Sequence, residues 1–110
     1  MNLKIKKVTS FLVEEDNLPK GYKVSYKGKA DNTDDELFFL IIADKEIGYP
    51  SSRVFIGKGE SLSEVEVTST TRYRDGGTTI IETMSGVFNF PSPLRPKEKP
   101  TLNGKEVTML

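Results

Sequence analysis

The sequence predicts an all-β protein, a small antiparallel sandwich or partly open barrel of six to eight short strands. Three observations carry this reading. Apolar and polar residues alternate with period two in one segment after another, and Gly-, Pro- and Asn-containing turns separate those segments. No stretch of about 11 residues places apolar side chains at i, i+3, i+4 and i+7, the signature of an amphipathic helix. The 35% hydrophobic content of the 110-residue chain suits thin sheets with one wet face each, around a single core.

The elements follow in order. Leu3 and Ile5, then Phe11 and Val13, keep one parity, so residues 2–14 read as one long strand or two with a bend near Lys7. Asn17-Leu18-Pro19-Lys20-Gly21 is a turn, its Pro and Gly supplying the dihedrals. Tyr22, Val24 and Tyr26 alternate with Lys23, Ser25 and Lys27, a half-buried strand with lysines on its wet side. After the polar loop 31–36, the run Leu37-Phe38-Phe39-Leu40-Ile41-Ile42-Ala43 is apolar on both faces and reads as a central strand covered on both sides. Residues 45–52 are turn-rich, Arg53–Gly57 is a short strand, and 57–60 turns again. Ser61-Leu62-Ser63-Glu64 has the letters of a helix capping box, but the β-branched alternation of Val65-Glu66-Val67-Thr68 makes it a strand.

Residues 63–74 and 78–90 are expected to pair as one antiparallel hairpin closed at Asp75-Gly76-Gly77, since Asp-Gly and Gly-Gly both suit tight primed turns. A Gly76-Gly77 loop sets Tyr73 opposite Ile80 and Ser69 opposite Met84. An Asp75-Gly76 loop slides the pairing by two and keeps the faces. Either way Val65, Val67, Tyr73, Ile80, Met84 and Phe88 share the apolar face. Residues 1–90 thus form a single all-β domain. Residues 91–110 form a proline-rich arm, four prolines in the ten residues 91–100, expected to be extended and polyproline-like, with a short terminal strand near 106–109.

Composition narrows function. With no Cys and no His, disulfides, thiolate metal sites, a cysteine nucleophile and a Ser-His-Asp triad are excluded, along with the usual general base near neutral pH. No cofactor and no metal is expected. Sixteen basic residues balance sixteen acidic ones. The charge is blocked along the chain: seven bases against three acids in 1–30 (+4), three against nine in 31–70 (−6), six against four in 71–110 (+2). A strongly nucleic-acid-binding domain is usually basic overall. No apolar run nears the roughly 18 residues of a membrane helix, and the N-terminal residues carry no secretory pattern, so no membrane partner and a cytoplasmic location are expected, or a virion or host cytoplasm for a phage-derived protein.

Several residue groups carry candidate chemistry. The carboxylates of 31–36 are oxygen donors for calcium, but the spacing lacks the EF-hand glycine and distal glutamate, and a solvated loop explains them. Gly57-Lys58-Gly59-Glu60 lacks the P-loop spacing and reads as a turn. Glu64, Glu66 and Glu82 are the acids available for carboxylate catalysis. Glu82 falls on the expected apolar face, where a structural ion pair accounts for it. Tyr22, Lys23, Tyr26, Lys27 and Lys29, with Arg72, Tyr73 and Arg74, form a basic-aromatic set of the kind single-strand binders use, although alternation sets rings and charges on opposite faces. Pro93, Arg95 and Pro96 match a PxxP motif. The expected function is a non-enzymatic protein–protein interaction or assembly module, on fold-level analogy a small phage- or plasmid-type accessory protein. It binds an unidentified protein partner, and its arm reaches a neighbouring subunit of a homo-oligomer. The alternative is an OB-like single-stranded nucleic-acid-binding protein.

Overall fold

The computed structural model describes residues 18–30, 36–58 and 61–110 in full and residues 2–4 as backbone. The described residues form eleven strands: β1 (Asn2–Lys4), β2 (Tyr22–Ala30), β3 (Leu37–Asp44), β4 (Gly48–Gly57), β5 (Ser61–Val65), β6 (Val67–Arg72), β7 (Thr79–Thr83), β8 (Gly86–Phe90), β9 (Thr101–Leu102), β10 (Lys105–Glu106) and β11 (Thr108–Met109). Seven of them, β2 to β8, have five residues or more, within the expected six to eight; the remainder are two- and three-residue additions. They build two antiparallel sheets, in the orders β1-β5-β4-β3-β2-β11 and β10-β9-β8-β7-β6, stacked as an open sandwich. No helix among the described residues is long and apolar enough to cross a membrane.

The chain passes between the sheets through single residues. Glu66 separates β5 in the first sheet from β6 in the second, and Val107 separates β10 in the second from β11 in the first. Glu66 is exposed, whereas Val107 is buried in the space between the sheets.

β3 is the centre, as its sequence predicts. Phe39 and Ile41 point into the sandwich, where they join Ala30, Val54, Ile81, Phe88, Phe90, Leu102 and Val107. Phe38, Leu40 and Ile42 point to the opposite face, where Phe55 and Leu62 join them and Leu18 and Tyr22 pack alongside. Each large side chain so buried contributes about 1.5–3 kcal/mol relative to exposure. Two apolar clusters therefore meet on one strand.

β2 departs from simple alternation. Val24 pairs with Ile42 but Tyr26 with Ile41, so a bulge at Ser25 turns the strand over. Tyr22 faces the outer cluster and Tyr26 the inner one, not a shared face. Gly28 then allows a close approach: a Cβ there would meet the Thr108 carbonyl oxygen and the Phe39 ring, so β11 can pair with β2 only over a glycine.

The expected hairpin is corrected in three ways. Residues 61–65 pair with β4 in the other sheet, not with 86–90. Met84-Ser85 makes a second turn, which divides 78–90 into β7 and β8 and sets Thr83 opposite Gly86. The β6–β7 register pairs Arg72 with Thr79 and Ser69 with Glu82, the slide of an Asp75-Gly76 loop, with a bulge between Val67 and Ser69. Of the expected apolar face, Phe88 lies in the core and Val65 and Val67 pack against it, but Tyr73, Ile80 and Met84 do not. Ile81 and Phe88 pair and point into the core, while Tyr73 and Met84 are exposed and Glu82 lies on the wet face. Ile80 and Ile81 are adjacent, so parity alone leaves either one inside; Phe88 and Phe90, brought over by the second turn, select Ile81 and Thr79.

The C-terminal segment returns to its own chain. β9 adds to β8, β10 to β9, and β11 to the β2 edge. The edges that a ten-residue spacer was expected to seek on a neighbour are occupied within the chain. Leu102→Ala should therefore destabilise the fold by about 2–3 kcal/mol, as a buried core truncation does, whereas Met84→Ala at an exposed turn should stay within about 0.5 kcal/mol. Urea unfolding of the two variants checks this. Equal, small effects would show that the terminal strands contribute nothing to the core.

Candidate functional site

The β6–β7 turn and the proline-rich arm meet and are tied together. In the turn, Asp75 accepts hydrogen bonds from the Gly77 and Thr78 amides through Oδ1 (3.2 and 2.9 Å) and from the Thr78 hydroxyl through Oδ2. The same Thr78 oxygen accepts the Ser92 amide at 3.1 Å. Ser92, almost fully buried, accepts the Leu94 amide on its hydroxyl, and its carbonyl accepts the Arg95 amide at 2.9 Å. Arg95 lies 3.8 Å from Asp75 and 3.7 Å from Glu98. Gly76, at φ 104°, is pressed against Leu94 and Ser92, and a Cβ there would collide with both.

This network corrects the expected extended arm. The Arg95 amide bonds to Ser92 and the Glu98 amide to Arg95, two successive i to i+3 turns that fold the prolines over the hairpin. Proline fixes φ but does not prevent turns, and Ser92 finds its partners across the chain.

Between turn and arm lies a cleft of about 440 Å³. Its floor is aromatic: the Tyr26 ring stacks on Phe90 with centroids 3.7 Å apart and planes 6° from parallel. Gly76, Gly77 and Arg72 line one side, Pro91, Pro93, Arg95, Pro96 and Pro100 the other, and Met109 of β11 completes it. Arg72 is held in place by donating from Nε to the Thr79 hydroxyl at 3.0 Å, with its guanidinium 4.2 Å from the centre of the Tyr49 ring.

The structure thus brings together Tyr26, Arg72, Pro93, Arg95 and Pro96. Tyr73 and Arg74 stand exposed at the adjoining turn. Tyr22 and Lys23 belong elsewhere, to a second cleft with Lys20 and Lys45. Lys27 lies opposite Leu40 on the outer face of β2. Phe90 and Met109 complete the first cleft but carry no motif, and Tyr49 and Asp75 act beside it, on Arg72 and on the turn. Phe90 adjoins the prolines, yet its stack on Tyr26 depends on the Ser25 bulge.

The remaining candidates are accounted for locally. Glu64 is paired bidentately with Arg53, both contacts at 2.7 Å, and that hydrogen bonding lowers its pKa. Arg53 also lies 5.5 Å from the Tyr22 ring centre. Glu66 is exposed at the crossing between sheets. Glu36 pairs with Lys29 at 3.6 Å, and the rest of the acidic loop lies outside the described residues, as do Gly59 and Glu60 and residues 5–14 of the first expected strand. No group of three or more metal-ligating side chains gathers among the described residues. No protein-family model, curated protein or solved structure matches the chain.

The Thr78 side-chain and backbone hydrogen bonds hold the Asp75 carboxyl below its ordinary pKa of 3.8. A carboxyl depressed in the folded state adds stability that is complete above the ordinary value and is lost as pH falls through the lower folded value. Acid should therefore loosen the arm below pH 3.8. Asp75→Asn, which removes the charge and an acceptor, should do so at neutral pH. Limited proteolysis within residues 91–100 checks both: cleavage should accelerate in the variant and become nearly independent of acidification. An unchanged cleavage rate in Asp75→Asn contradicts the tether.

Proposed function

We propose that the protein is a non-enzymatic binding module that grips an extended segment of a partner protein in the cleft between the β6–β7 turn and the proline-rich arm. The convergence of an aromatic stack, proline walls and two arginines at one concavity carries this reading. Flat rings and prolines accept apolar or proline-bearing side chains at low entropic cost, and Arg72 supplies a cation for a carboxylate while Arg95 stays paired with Asp75 and Glu98. The volume lies in the range of about 300–1,000 Å³ usual for binding pockets. The partner segment that fits is acidic, with an aromatic or proline residue beside the carboxylate.

The chemistry of the acids supports a binding role over a catalytic one. Glu64 is committed to Arg53, and its lowered pKa is opposite to what a general acid near neutral pH requires. Asp75 is committed to the turn.

Selection from a random peptide library on the intact protein tests the proposal. Enriched peptides should combine an acidic residue with an aromatic or proline. Their binding should perturb the nuclear resonances of Tyr26, Phe90 and Arg95, and Arg72→Ala should weaken it roughly tenfold, the loss of about 1.4 kcal/mol. Enriched peptides that perturb residues away from the cleft would overturn it.

A further inference from the structure

Lys20, Lys23 and Lys45 line the second cleft, about 470 Å³, together with Leu18, Pro19 and Tyr22. The three lysines come from two separate segments joined by a hydrogen bond: the Lys45 amide donates to the Gly21 carbonyl at 2.9 Å. Tyr22 is fixed in the same frame, its amide donating to Pro19 and its ring packed against the outer cluster beside Arg53. All three lysines are exposed and none forms an ion pair among the described residues. Asp44 and Glu46 flank Lys45 in the chain. The Asp44 carboxylate accepts the Glu46 and Ile47 amides at 2.8 and 3.0 Å, which closes the β3–β4 turn. Cationic side chains on a fixed backbone around an aromatic wall are the elements that hold a phosphate-linked strand while a base packs on the ring.

We propose that this cleft binds single-stranded nucleic acid, Lys20, Lys23 and Lys45 contacting successive phosphates and Tyr22 offering a surface to a base. The site is independent of the peptide cleft, which lies on the turn and arm. Tyr22 and Lys23 pair with the consecutive residues Asp44 and Ala43 and so lie on opposite faces of β2, both at the start of the strand that borders this cleft. The turn at residues 18–21 and its bond to Lys45 bring other lysines round to the ring.

Fluorescence anisotropy of a labelled oligothymidylate with the full chain, at several salt concentrations, tests the proposal. Binding should be weak, with Kd of about 10⁻⁴–10⁻⁶ M, and three phosphate contacts predict a slope of roughly −2 for log K against log salt. The triple variant Lys20→Ala, Lys23→Ala, Lys45→Ala should lose binding with its melting temperature unchanged, because all three side chains are exposed, and the single variant Lys23→Glu should weaken it measurably. Arg72→Ala should leave it intact, which separates this site from the peptide cleft. No binding at low salt overturns the proposal, as does binding retained by the triple variant. Equal competition by inorganic polyphosphate, or preference for vesicles containing phosphatidylserine over the oligonucleotide, overturns the assignment to nucleic acid.

Discussion

Everything in this molecule hangs on one strand that is dry on both sides. β3 cannot be an edge, because both its faces are apolar, and it cannot serve a simple sandwich, because only one face of each sheet is then covered. The protein resolves this by burying Phe39 and Ile41 against the second sheet and Phe38, Leu40 and Ile42 in a cluster on the reverse. The neighbours of β3 inherit the split. β4 sends Val54 inward and Phe55 outward, and β2 must turn over at Ser25 to send Tyr22 one way and Tyr26 the other. That bulge costs regularity in the ladder. It yields two tyrosines in two different clefts, so the two proposed binding surfaces are consequences of how a doubly buried strand is accommodated.

The second sheet is governed by a polar constraint as much as an apolar one. Its inner face near β6 carries Thr70, Arg72 and Thr79 beside Ile81, and the buried Thr79 donates its hydroxyl proton to the Gly77 carbonyl while accepting from Arg72. Thr78, one residue earlier, joins Asp75 to Ser92 and thereby fastens the arm. A proline-rich segment has little hydrogen bonding of its own to offer, so its position is set from outside, by the turn. The tether is also what makes the cleft: without it, Pro93, Arg95 and Pro96 would have no reason to face Arg72 and the Tyr26–Phe90 stack.

Much of this fold is legible in the sequence where residue type and burial agree. The all-β class, the centrality of residues 37–43 and the turn at 75–77 follow from period and turn chemistry, whereas the single terminal strand expected near 106–109 is two, β10 and β11, divided between the sheets at Val107. Legibility fails where a single residue changes parity or sheet. Ser25 and Thr68 are small polar residues with nothing to mark a bulge, and Glu66 looks like the middle of an alternating strand yet carries the chain to another sheet. Ser85-Gly86 is a turn signal that the flanking apolar residues obscure, and without it Ile80 looks as good a core residue as Ile81. Of the first cleft, the arginines and prolines stand out by composition. Their meeting with Tyr26 and Phe90 does not, because it depends on a bulge and on a tether between residues fourteen apart.

The central claim, that the doubly buried β3 organises both clusters, is tested most directly by native-state amide hydrogen exchange. The amides of Phe39, Leu40, Ile41 and Ile42 should exchange only through global unfolding, with the same free energy and the same denaturant dependence for residues facing either cluster. A set of β3 amides exchanging through a smaller opening than those of Ile81 and Phe88 in the second sheet would contradict it.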